Sequence, residues 1–293
     1  MRRWRLWWFM APAVALLLAT FALPLLRYLW LSGQAQTVLT GLQPRPVGGE
    51  QWLRLWNDSR FWQDAWQTLR FSAVSVGLEM TLGLAVALLL HQPLRGRGVL
   101  RTISLLPWAL PTTVMALGWR WIFNEPYGPI HQCLQRIGLP PINVLSNPSI
   151  TWLAVVWADT WKTMPFVALL LLAGLQTIPE DLYEAAGLEG ANRWQTLRYI
   201  TLPLLAPYLL IALLFRFAQA LGVFDLIQVL TGGGPAGSTE SLALYAYINA
   251  MRFLDFGYSA TVILGTFVLL LTIGATWTGL WMLQKHATNR GLG

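Results

Sequence analysis

The sequence predicts an all-α integral membrane protein with six transmembrane helices and a cytoplasmic helical loop between the fourth and fifth. Three observations predict this. Of 293 residues, 55% are hydrophobic and 11% charged, whereas soluble proteins carry about 25% charged residues. The apolar residues gather into six runs, at 7–30, 68–90, 103–124, 150–178, 204–230 and 258–283, each near the ~20 residues that cross a bilayer. The connection 179–203 has the composition of folded helix rather than of a turn. The expected organisation is an N-terminal helix with its outer loop (1–66), a core of five further spans (67–283) and a short cytoplasmic tail (284–293).

The first run follows a basic start, Arg2, Arg3 and Arg5. A cleaved signal peptide has an apolar core of about 7–15 residues. The stretch from Leu6 to Leu26 is longer, and no small-x-small site closes it, so a retained first helix is expected. Polar connections follow at 31–67, 91–102, 125–149, 179–203 and 231–257. Basic residues favour the cytoplasmic side. With the N-terminus inside, the inner segments hold Arg95, Arg97, Arg101, Arg193, Arg198, Lys285 and Arg290, while the second and third outer loops hold only Arg136 and Arg252. The first outer loop balances Arg45, Arg54 and Arg60 with Glu50, Asp58 and Asp64. Both termini are therefore expected in the cytoplasm. This topology accounts for much of the net charge of +7 without a nucleic-acid partner, for which no basic stripe exists. The 17 tryptophans suit anchors at the lipid interface. Pro24, Pro107, Pro111 and Pro165 lie within spans and predict kinks. Cys133, the single cysteine, reads as an ordinary loop residue.

The connection 179–203 opens on Pro179-Glu180-Asp181, acids that complement a helix N-terminus. Residues 180–189 read as one short helix. Gly190 permits a sharp break, because it takes positive φ freely. A second helix is expected from Asn192 to Ile200, with Trp194 and Leu197 on one face and Pro203 ending it. Two short amphipathic helices hinged at a glycine suit docking into a groove of a partner or lying on a lipid surface. The residues alone leave both open.

The spacing within this loop is Glu184-Ala185-Ala186, then Gly190, then Ile200-Thr201-Leu202-Pro203. It resembles the EAA signature of permeases of binding-protein-dependent ABC importers, with every interval kept. Glu189 stands where many relatives have aspartate. The surrounding "LAGLQTIPEDLYEAAGLEGANRWQTLRYITLPLLAP" and "FDLIQVLTGGGPAGSTESLALYAY" resemble the carbohydrate-uptake branch. The resemblance implies the type I importer permease fold, and coupling helices seated in a cleft of a cytoplasmic ATPase. Glu184, Ala185, Ala186 and Gly190 would make that contact, flanked by Leu188, Glu189 and Asn192. It further implies a second homologous permease, two ATPase copies, an external solute-binding protein and the bacterial inner membrane. This chain is expected to bind no cofactor, with ATP and magnesium held by the ATPase. "LLFRFAQALGVFDLIQVLT" is most similar to permeases for α-glucosides such as trehalose or maltose and for glucosylated compatible solutes.

Competing signals are weaker. "GGGPAGST", Gly232 to Thr239, nearly matches the phosphate-binding pattern G-x-x-x-x-G-K-[ST]. Ser238 replaces its lysine, no strand precedes it, and it falls outside the cell. Gly232 is expected to cap the fifth span, and the loop to face a delivery protein. His91, His131 and His286 are scattered, and no hydrolase or metalloprotease motif appears. A secondary transporter would couple through midplane charges, and such charges exist.

Glu79 and Arg216 fall near the middle of spans two and five. Asp159 and Lys162, three apart in span four, can pair on one helical face. Gln219 follows Arg216 by three, Asp225 lies nearer the outer end, and Arg120 is expected at the interface. Charged groups at depth face a bundle interior or a cavity, so these are either glue between helices or the lining of a solute path. Glu79, Asp159, Lys162 and Arg216 sum to zero charge, which suits a neutral hydroxylated solute beside Arg216 and Gln219, with Glu79 and Asp159 as acceptors. Trp157, Trp161 and Phe224 could offer faces to a sugar, or serve packing and the interfacial belt.

Overall fold

The computed structural model describes residues 3–140 and 142–290; Arg2 of the basic start and the last residues of the tail lie outside them. The chain forms two compact units, Met1–Ala65 with Leu242–Gly293, and Trp66–Ser241.

In the first unit, helix α1 (Arg3–Leu17) passes through a π turn, Leu18–Ala22, into α2 (Leu23–Leu31), and Phe9–Leu31 forms the first apolar span. A two-residue antiparallel ladder, β1 (Gln34–Ala35) on β2 (Arg45–Pro46), follows, then α3 (Glu50–Trp56). The connection 231–257, read as polar, contains a helix, α13 (Leu242–Met251). Its sequence is apolar, and Leu242, Tyr245 and Ala246 are buried together with Tyr258 and Val262 of α14 (Phe256–Arg290) and with Leu55 and Phe61. Ten residues are too few to span a bilayer, so this helix completes a core instead. At its edge the Asp58 carboxylate accepts hydrogen bonds from the hydroxyls of Tyr245 (2.5 Å) and Tyr258 and from the Arg60 N–H (3.0 Å). Burial alone would raise its pKa; these bonds outweigh that and hold it below the ordinary aspartate value. Arg54 pairs with Asp255 at 2.7 Å and lies 3.7 Å over the Tyr258 ring.

The second unit is built on α4 (Ser59–His91), α8 (Pro148–Leu175) and a long fifth span. Its core joins Ala87, Leu90, Val167, Leu171, Leu175 and Leu205. Small residues let these helices approach closely. A Cβ on Gly83 would lie 2.7 Å from Val167, and one on Gly174 would lie 2.6 Å from the Tyr208 ring.

Two spans depart from the expectation. The third is a bent pair, α5 (Arg97–Ala109) and α6 (Thr112–Ile122), meeting at 89°. Pro111 excludes helical backbone at Leu110, which is extended at ψ 137, and the kink expected from proline becomes a break. Among the described residues the other apolar spans number five, and with the bent pair taken as one crossing they make the six expected. The fifth begins earlier than expected and stops earlier. A single helix runs from Arg193 to Leu221, through α10 (Arg193–Thr196), a π turn at Leu197–Thr201 and α11 (Leu202–Leu221). Pro203 does not end the loop helix as read from the sequence: the π turn just before it, with the Leu202 N–H bonded to the Leu197 carbonyl, carries the helix past the missing donor. Gly222 then ends α11, and after Phe224 the short α12 (Asp225–Leu230) packs against α6 and α8. Gly232, at φ +62, donates its N–H to the Ile227 carbonyl at 2.8 Å. It is the expected C-terminal cap, though of α12 rather than of an unbroken span. The remaining helix, α7 (Pro129–Arg136), carries Cys133, which is exposed.

Candidate functional site

The connection between spans four and five folds as a helical hairpin. Helix α9 (Glu180–Leu188) starts on two acids and ends at Gly190, whose φ is +78. A Cβ at Gly190 would meet nothing within 4 Å, so backbone conformation, not space, requires glycine there. The Ala191 N–H closes the turn on the Ala186 carbonyl at 2.9 Å. Asn192 then caps the long helix. Its side chain accepts from the Gln195 N–H at 2.9 Å, and Gln195 Oε1 accepts from the Asn192 N–H at 2.8 Å, a reciprocal capping box. Tyr183 reaches Thr201 at 3.4 Å and ties α9 to the π turn.

This geometry divides the loop residues. Ala186 is buried and packs inward, Asn192 is committed to the cap, and Gly190 makes the turn. Glu184, Ala185 and Glu189 are exposed, and Leu188 is 92% exposed. Leu182, Trp194 and Tyr199 are exposed with that outward leucine, an apolar surface of the kind that meets a protein partner or a lipid surface. Tyr183 and Gln195 were not singled out from sequence, and Thr201 only as a position of the signature, although the spacing from Asn192 to Gln195 is readable as a box.

The second constellation lies within the bundle, where α4, α8 and α11 meet. Arg216 grips Glu79 with two parallel bonds, Nε to Oε2 at 2.6 Å and Nη2 to Oε1 at 2.9 Å. Its Nη2 also reaches Asp159 at 3.4 Å, and its Nη1 donates to Gln219 at 2.5 Å. The Ser75 hydroxyl lies 2.7 Å from Asp159 Oδ2 and 3.0 Å from Glu79 Oε1. Thr163 lies 2.7 Å from Glu79 Oε1 and 2.6 Å from the Asp159 carbonyl. A hydroxyl carries one proton, so each serves one acceptor at a time. The Glu79 side chain is 0% exposed, and both its oxygens are occupied.

The expected Asp159–Lys162 pair does not form. Asp159 turns inward to Ser75 and Arg216 because the fixed guanidinium offers a planar, multidentate partner. Lys162 is half-buried, and among the described residues no hydrogen bond or ion pair reaches it. Arg216 sits five residues before Leu221, toward the end of α11 rather than mid-span, because that helix stops at Gly222. Ser75 and Thr163 were missed in the sequence. Each lies one helical turn from an acid, and that spacing was the available signal. Gln219 and Asp225 are exposed, and Phe224 precedes α12 half-buried. Trp157 is exposed, while Trp161 packs edge-on to Trp119 with centroids 5.7 Å apart. Arg120 donates to the Val229 carbonyl at 3.3 Å, so its head group caps α12 as well as facing outward.

A six-crossing bundle carrying a folded hairpin with this spacing is the architecture of an importer permease. Residues 79–282 match the family described as binding-protein-dependent transport system inner membrane component, and the chain belongs to that family. It is thus the multi-pass membrane permease of an ABC importer, whose ATP hydrolysis resides in a separate subunit and which works with a solute-binding protein. It is 44% identical over 261 residues to the trehalose/maltose transport system permease protein MalF of Thermococcus litoralis, covering 89% of this chain and 88% of the other. It is 36% identical over 268 residues to the sulfoquinovosyl glycerol transport system permease protein SmoG of Agrobacterium fabrum, covering 92% and 87%. In three dimensions it resembles a chain of a bacterial alginate ABC transporter solved with an alginate-bound periplasmic protein, at TM-score 0.78 and 23% identity over 93% of this chain and 92% of that one. That likeness concerns the fold.

Proposed function

We propose that this permease imports a neutral, hydroxyl-rich solute of the α-glucoside class, with a trehalose- or maltose-like sugar or a glucosylated solute as cargo. The observation that carries the reading is the 44% identity across 89% of the chain to a trehalose/maltose permease. The complex would add a second homologous permease and two ATPase copies, with ATP and magnesium held by the ATPases. The exposed Glu184, Ala185, Leu188 and Glu189 form the face offered to the ATPase cleft, and Gly190 with the Asn192 cap shapes it. Because the helix is continuous from Arg193 to Leu221, displacement at the hairpin passes along a rigid rod of about 43 Å. Arg216 rides on that rod, so alternating access and the charged cluster would be mechanically joined. Purified complex with its binding protein should show ATPase stimulation by α-glucosides. Stimulation only by charged solutes, with none from trehalose, maltose or glucosylated solutes, removes the cargo assignment.

The orientation with both termini cytoplasmic is supported by the arginine distribution and by an exposed aromatic and aliphatic hairpin face suited to a soluble partner. An impermeant thiol reagent applied to intact cells should label Cys133 and leave a cysteine substituted for Gln195 untouched. The opposite pattern would reverse the topology and detach the hairpin from the ATPase.

A further inference from the structure

Lys162 is the anomaly of the bundle. It stands fourteen residues from Pro148 and thirteen from Leu175, about 20 Å from either end of α8. No lysine side chain can snorkel that far. The two acids of the cluster are engaged elsewhere, Glu79 by Arg216, Thr163 and Ser75, and Asp159 by Ser75 and Arg216, and the further acid whose charge acts on Lys162 is Asp225, exposed at the start of α12. Yet Lys162 is only half-buried, and among the described residues its ammonium makes no hydrogen bond or close ion pair, feeling Asp159 and Asp225 only at longer range. A cation at that depth has to face water or a partner's polar group, since hydrocarbon cannot solvate it. The charges count the same way. Glu79 and Asp159 are two acids sharing one guanidinium, which leaves one negative charge over. Lys162, one helical turn from Asp159, supplies the balancing positive charge. On α11, Gln219 is exposed and spends its carbonyl oxygen on Arg216, which leaves its amide N–H groups to donate.

We propose that Arg216, Glu79 and Asp159 form a closed structural latch, and that Lys162 of α8, with Gln219 of α11, is the specificity-determining donor wall of the translocation route, hydrogen-bonding the hydroxyls of the passing solute. The proposal deepens the reading of the chain as an importer of neutral glycosides and rests on it for the nature of the cargo. A route whose latch is sealed, and whose leftover negative charge is balanced by Lys162, admits a hydroxylated solute. With Lys162 neutralised, the residual negative charge of the latch would face that solute without donors.

The test uses the assembled complex in proteoliposomes, on a Cys133→Ser background. Lys162→Cys and Gln219→Cys are compared with Val167→Cys, whose position is 0% exposed in the helix core. A small cationic thiosulfonate should label the first two at least about tenfold faster than the third, as thiol reactivity follows access, and trehalose or maltose in excess should slow the labelling. In parallel, Lys162→Met should lower glycoside uptake by about tenfold or more, the scale of one lost hydrogen bond from a charged donor, with assembly and thermal stability unchanged and Lys162→Arg restoring part. Labelling as slow as at Val167 in both nucleotide-free and ATP-trapped complex overturns the route, as does full uptake by Lys162→Met. Should Lys162→Cys fail to assemble, Gln219→Cys decides alone: inert overturns, labelled supports. Rapid labelling that no α-glucoside slows, with no α-glucoside stimulating the wild-type ATPase, leaves Lys162 in the route and sinks the cargo class instead.

Discussion

Arg216→Met should lower the thermal midpoint of the purified complex by roughly 10 °C or prevent its assembly. The substitution strands Glu79, fully enclosed, and Asp159 without their guanidinium. Breaking a buried pair from one side costs about 3–5 kcal/mol, because the remaining charge is left uncompensated. That is a large fraction of the ~5–15 kcal/mol that holds a typical domain folded, and for a chain of this size it corresponds to a shift on the order of 10 °C. Methionine has similar volume and flexibility, so packing loss is a minor part. The double variant Arg216→Met with Glu79→Gln should recover part of the loss, since a neutral amide still accepts from Thr163 and Ser75. Thermal unfolding of the two variants against wild type measures the coupling directly. An Arg216→Met complex as stable as wild type but silent in transport would mean that this arginine meets the solute, and the latch would have to be abandoned.

Gly190→Val should abolish uptake and solute-stimulated ATP hydrolysis while the membrane spans stay folded. The hairpin turns on a residue at φ +78, a region that costs an L-residue roughly 1–2 kcal/mol and a β-branched one more. With open space around the position, the strain cannot be mistaken for a clash. It would be relieved by swinging α9 relative to the Asn192 cap, and Glu184, Ala185 and Leu188 would no longer present one surface. Gly190→Asn, which tolerates this conformation, should retain most of the activity. Normal transport by the valine variant, with ATPase bound at wild-type affinity, would mean that the hairpin does not carry the coupling.

Much of this architecture was legible in one dimension. The apolar runs located the crossings, because a bilayer demands unbroken lengths of apolar residues whatever the neighbours do. The hairpin was equally local: two acids, a glycine obliged to positive φ, and a capping residue each act within a few positions. The charged residues at depth were visible as anomalies for the same reason. What the sequence misjudged lay where short-range rules compete. Pro111 bends the third crossing by 89° where a kink was expected. Pro203 is passed by a π turn where an end was expected.

The partners of the buried charges were beyond local reading. Asp159 and Lys162 are one turn apart, and nothing along α8 says that the acid will turn to Ser75 of α4 and Arg216 of α11 instead. That choice is made 84 and 57 residues away in the chain, by helices that approach closely only once glycines such as Gly83 and Gly174 are packed. Composition and spacing therefore settled the class, the crossings and the helical hairpin. Which charges close on one another, and which one stays open, was settled by packing, because a buried ion pair depends on geometry to a fraction of an ångström and no periodicity in a single chain encodes the neighbour on another helix.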